Sequence, residues 1–71
     1  MALTRRFFTA LARDFRDARP GSSPESSEFA VWMHMVGITA SALAVQNGMF
    51  NRAKFYEACG MPEDAVEKAA G

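Results

Sequence analysis

The feature that most constrains this chain is an uncharged run: from Phe29 to Asn51 there is no Asp, Glu, Lys or Arg. Within it, apolar residues recur on two helical faces. One face carries Phe29, Trp32, Met33, Val36, Ala40 and Leu43, and the other Val31, Met35, Ile38, Ala42 and Val45. Only a strip with Ala30, His34, Gly37 and Ser41 lacks bulky apolar groups. A helix apolar nearly all round is expected to be buried, so this segment is read as the central element. Its start is signalled by Ser23 as N-cap, Pro24 at the first helical position and Glu25 near the positive end of the dipole. Asn47-Gly48 is read as a left-handed stop. The predicted helix is 24–46.

Three further helices are expected around it. Leu3, Phe7, Phe8, Leu11, Phe15 and Ala18 share one face at helical spacing, with Arg5, Arg6, Arg13 and Arg16 opposite. This predicts a helix over 4–18, ended by Pro20-Gly21. A third helix over 51–59 has Asn51 as N-cap, a staple between Phe50 and Phe55, and Gly60 as its stop. A fourth, 62–69, begins at Pro62 with Glu63 and Asp64 in its first turn. No stretch alternates with period two. The expected fold class is all-α: a small three-helix bundle with a long central helix and a short C-terminal fourth helix, in a single domain spanning 1–71.

At 71 residues such a domain buries only about 60 % of the surface its unfolded chain exposes. It needs a staple, an unusually good helical core or an associated partner. A single cysteine, Cys59, makes no internal disulfide, and one histidine, His34, completes no four-ligand zinc site with it. No metal or cofactor is therefore expected. Helix packing and association remain, and both suit a composition that is 49 % apolar. The homodimer and the complex with another protein are the two forms expected.

Eight bases balance eight acids, so no global field draws the chain to nucleic acid or anionic membrane. The basic start, followed by the amphipathic Phe7–Arg16, predicts no signal peptide, and a cytoplasmic location is expected. The apolar run Phe29–Val45, about 17 residues, sits at the lower limit for spanning a bilayer. His34, Thr39, Ser41 and Gly37 interrupt it, and a buried soluble helix is the expected reading.

The candidate partner-binding residues are Arg5, Arg6, Arg13, Arg16, Arg52, Lys54, Tyr56 and His34. The arginine stripe suits phosphates or an acidic protein surface. Arg52 and Lys54, following the Asn47-Gly48 turn, stand where a helix-turn-helix would place its reading helix. Tyr56 is the kind of residue that dominates binding hot spots. His34, on the strip without large groups, is expected at solvent or an interface, where it would make binding depend on pH near neutrality. No nucleophile–base pair is expected from Cys59 and His34, because Cys59 ends a helix whose dipole opposes a thiolate. An enzyme is not expected.

The stretch Trp32–Gly60 also resembles short, uncharacterised helical proteins of tailed phages and prophages. The resemblance lies in Ser41-Ala42-Leu43-Ala44, Asn47, and the block Phe50-Asn51-Arg52-Ala53-Lys54-Phe55-Tyr56-Glu57-Ala58-Cys59-Gly60. The last is similar to a Phe-(Asp/Asn)-Arg-x-(Arg/Lys)-Phe-x-x-Ala-Cys-Gly pattern. Gly48-Met49 departs from the proline-containing link of that group, and the segment from Pro62 lies outside the shared block. The resemblance implies an accessory protein that binds and modulates a host protein, including components of antiviral defence. A small DNA-binding regulator and a small membrane-associated protein are the alternatives.

Overall fold

The computed structural model describes residues 4–70, and every regular element among them is a helix. In chain order these are α1 (Arg5–Asp17), α2 (Ser27–Gln46), α3 (Arg52–Cys59) and α4 (Glu63–Ala70). Leu3, expected on the apolar face of α1, lies outside the described residues.

Each boundary has a local cause. Thr4 caps α1 by accepting from the Phe7 amide at 3.3 Å. Asn51 caps α3 in the same way, accepting from the Lys54 amide at 3.1 Å. The Phe50 ring stands 5.5 Å from Phe55, the staple expected between the residue before a cap and the fourth helical position. At the far end of α3, Gly60 sits at φ 84, in the left-handed region that a side chain disfavours. The Met61 amide then reaches back to the Tyr56 carbonyl and the Gly60 amide to that of Glu57. Those two bonds satisfy orphan carbonyls of the last turn, the Schellman arrangement.

Both expected boundaries of α2 are corrected. Ser26, not Ser23, is the N-cap, accepting from the Phe29 amide at 3.2 Å. Pro24 instead occupies a turn closed by the Ser26 amide on the Ser23 carbonyl at 2.9 Å. Proline suits the second position of a turn as well as the first of a helix, and the Ser23 hydroxyl, bonded to Glu25, holds the turn. At the other end Asn47 is extended rather than followed by a left-handed Gly48. Its side-chain oxygen accepts from the Met49 amide and its carbonyl from Phe50, so an Asx-type turn ends the helix.

The core joins Ala12 of α1, the face Phe29, Trp32, Val36, Ala40 and Leu43 of α2, and Phe55 and Cys59 of α3. Phe29, Val36 and Cys59 are fully buried. Burying one such apolar side chain contributes about 1.5–3 kcal/mol. Phe15 meets Phe55 edge-on at 6.3 Å, and Phe8 lies 5.3 Å from Phe50, fastening α1 to α3. Arg19 lays its guanidinium 5.6 Å from the Phe29 ring centre, a cation–π contact over the core's edge.

Four helices are present among the described residues, the number expected, but the long α2 is not the element that the others pack around. It is the short α3 that packs against each of the other three helices. Nor is α2 buried all round, because Val31, Met35, Ile38, Ala42 and Val45 lie at the surface. The smallest Cα extent is 15 Å, the thickness of two helix layers packed about 8–10 Å apart. With two layers, each helix has an outer face, and nothing within the described residues covers that of α2.

Candidate functional site

Two grooves divide the residues expected to meet a partner. The first lies between α1 and α3 and has a volume of about 610 Å³. Phe8, Phe50 and Phe55 give it an aromatic floor, Asn47 and Asn51 line the side, and Arg5 and Lys54 stand on it from different helices. Thr4 and Asn51 bring this about. Each cap starts its helix so that a base falls in the first turn, Arg5 in α1 and Lys54 in α3. Both bases are exposed, and no carboxylate lines the groove.

That arrangement runs against helix electrostatics. The positive end of a helix dipole favours acids, and a base there costs about 0.3–1 kcal/mol. Neither α1 nor α3 has an acid in its first turn, whereas α2 has Glu28 and α4 has Glu63 and Asp64. The two helices that break the rule are the two that form this groove.

The second groove lies between α2 and α3, with a volume of about 690 Å³. Ala30, Met33, His34, Gly37, Tyr56 and Met61 are among the residues lining it. Tyr56 packs against the core, and its hydroxyl lies 3.5 Å from where a Cβ on Gly37 would stand. Arg52 reaches the same side, donating to the Ser41 hydroxyl at 3.2 Å. His34 is exposed at this groove.

The eight candidate residues thus separate. Arg5 and Lys54 share the α1–α3 groove, while His34, Tyr56 and Arg52 gather about the α2–α3 groove. Arg6 and Arg13 are exposed on α1, and the Arg16 stem runs beside Gly60. Of the bases of α3, Lys54 lines the groove toward α1 and Arg52 bonds to Ser41 of α2, while both also line a third groove between α3 and α4 beside Glu57. The aromatic floor escaped the sequence reading, which assigned Phe8 to the α1 core face and Phe50 to a local staple. Only the pairing of α1 with α3 sets the two rings together.

Cys59 is fully buried, and burial pushes its thiol from 9.0 up to about 11, the direction opposite to an activated nucleophile. Among the described residues no group of three or more His, Cys, Asp or Glu side chains could hold a metal ion. The helix Ser27–Gln46 is long and apolar enough to cross a membrane by length and composition, with a mean hydropathy of 1.4.

No protein-family model, no curated protein and no solved structure matches this chain.

Proposed function

We propose that this chain is a small accessory protein that acts by binding another protein, and that the α1–α3 groove receives an acidic segment of that partner. The observation that carries the reading is the pair Arg5 and Lys54, each at the positive end of a helix, above a floor of Phe8, Phe50 and Phe55. Bases at those positions weaken their own helices. An acidic side chain docking between them would reverse the sign of that cost, and the rings would take up the apolar part of the same segment. Local rules broken without a gain inside the fold point to sites of use.

The resemblance of Trp32–Gly60 to short phage and prophage proteins supplies the setting: a phage-like factor that modulates a host protein, with inhibition of a defence component as the specific form. Arg6 and Arg13 extend the basic surface along α1 and would steer an acidic partner toward the groove. A DNA-reading role for α3 is less well supported, because Arg52 is engaged with Ser41 of α2 and the groove that Arg52 and Lys54 share is also lined by the carboxylate of Glu57.

The test is charge reversal at the groove. Wild-type protein and the double variant Arg5→Glu/Lys54→Glu are used to capture proteins from host cells, with helicity followed by circular dichroism. The reading expects a protein retained by wild type and lost by the variant at equal helicity. Equal capture by both would sink it, and a salt-dependent shift of generic duplex DNA that the variant abolishes would move the assignment to nucleic acid.

A further inference from the structure

We infer that Asn47 and Asn51 select the backbone conformation of the bound segment, which lies extended in the α1–α3 groove and gives main-chain carbonyls to their side-chain amides. This rests on the reading of that groove as the seat of an acidic segment, and names what holds the segment's backbone there.

The fold fixes which end of each amide is free. The Oδ1 of Asn47 accepts from the Met49 amide at 3.0 Å, and the Oδ1 of Asn51 accepts from the Lys54 amide at 3.1 Å. Only the oxygen of an asparagine amide can accept, so neither side chain can turn over without stranding a backbone N–H. The polar atom that remains on each is Nδ2, a donor. Both residues line the groove together with Arg5 and Lys54.

Their placement is also fixed. The Phe50 amide closes the link between them on the Asn47 carbonyl at 3.0 Å. Each asparagine is extended, at φ -145 ψ 104 and φ -98 ψ 100. The bonds that end α2 and start α3 are therefore the same bonds that orient the two donors.

What such donors can hold follows from their chemistry. Arg5 and Lys54 supply the charge that answers an acidic side chain, and no carboxylate lines the groove to compete with it. Neutral amides add nothing to that charge. They suit neutral acceptors, and a peptide backbone carries one carbonyl per residue. A helical segment spends those carbonyls on its own ladder, whereas an extended one offers them along its edge. Side chains two positions apart on an extended chain share a side. An acid for the bases and an apolar residue for the rings are accordingly placed two apart.

Asn47 and Asn51 are the chain's only asparagines and Gln46 its only glutamine, which gives nuclear magnetic resonance a direct readout. Three side-chain NH2 pairs are present, and that of Gln46, exposed at the end of α2, is an internal control. The full chain, labelled with nitrogen-15, is titrated with a short acetylated peptide of glutamate, leucine and glycine, an acid and a leucine two positions apart. A second titration uses the same peptide locked into a helix by a side-chain lactam. The extended peptide is expected to shift the Asn47 and Asn51 pairs, to leave Gln46 in place, and to bind at least tenfold more tightly than the locked one. Asn47→Ser and Asn51→Ser keep acceptors for the Met49 and Lys54 amides but draw the donor back. Each is expected to weaken binding about three- to tenfold. Where a serine variant loses helicity, the wild-type NH2 shifts decide.

Equal binding of the two peptides overturns the inference, as do Asn47 and Asn51 pairs no more shifted than that of Gln46. A wild type that binds neither peptide overturns it as well. If those results come with binding that Arg5→Glu/Lys54→Glu abolishes, the groove still takes an acidic segment and only the role of the asparagines falls. Binding indifferent to that double variant counts against the groove itself.

Discussion

The indole Nε1 of Trp32 donates to the carbonyl oxygen of Phe15 at 2.8 Å, joining α2 to the end of α1. Phe15 lies in the last turn of α1, where carbonyls run out of intrahelical donors. The Arg19 amide, which would reach it in a continuing helix, bonds to Arg16 instead. A side chain 17 residues further on thus completes the end of the first helix.

Replacing Trp32 by Phe keeps an aromatic ring in the core and strands that carbonyl. The expected loss is about 1–3 kcal/mol, the cost of an unsatisfied, partly buried polar group together with the smaller ring. Urea denaturation followed by circular dichroism measures it, since the substitution removes the only tryptophan. A midpoint equal to wild type would show that water serves Phe15 as well as the indole does.

Asn51→Ala should cost about 1 kcal/mol, because the Lys54 amide then loses its acceptor. Asn51→Asp keeps the acceptor and adds a negative charge at the positive end of α3, so its stability should equal or exceed that of wild type. Thermal unfolding of the three proteins ranks them. Asp falling below Ala would contradict the capping role.

Gly60→Ala is expected to destabilise the fold by about 1–2 kcal/mol, the penalty of a side chain in the left-handed region. The new Cβ would also meet the Arg19 guanidinium at 3.2 Å, so the loss should exceed that of Gly21→Ala, where nothing lies within 4 Å. Paired denaturation curves of the two variants give the comparison.

Cys59 supplies a pH signature. Its thiol is held neutral by burial, pushed from 9.0 to about 11, so the folded state binds this proton more tightly than the unfolded one. That contribution is complete below pH 9 and is lost as pH rises through about 11. Denaturation midpoints should therefore fall between these values for wild type, and less steeply for Cys59→Ala. Native Cys59 should also react with iodoacetamide far more slowly than in denaturant, and equal rates would place it at the surface.

Much of this architecture was legible in the linear chain because it rests on contacts close in sequence. Asn51, the Phe50–Phe55 staple, Gly60 and the acidic start of α4 are satisfied within a turn of where they stand, so spacing alone located α3 and α4. The start of α2 was misread because Ser23-Pro24-Glu25 meets the requirements of a helix cap and of a turn alike. The bond from the Ser26 amide to Ser23, with Ser26 itself capping the helix, decided between them.

By itself the sequence determined that the chain is helical, where its apolar faces lie, and that charge is absent from the longest of them. Those properties follow from periodicity and capping chemistry, which are local. Only the tertiary structure decided that α3 rather than α2 packs against every other helix, and that Arg5 and Lys54 line one groove with the rings of Phe8 and Phe50. It alone decided which stripe of α2 is buried. Both stripes have helical spacing and similar hydrophobicity, and the choice went to the face whose Phe29, Trp32 and Leu43 could pack with Ala12, Phe55 and Cys59. Among the described residues, a fold two helices thick has no third layer to cover the other.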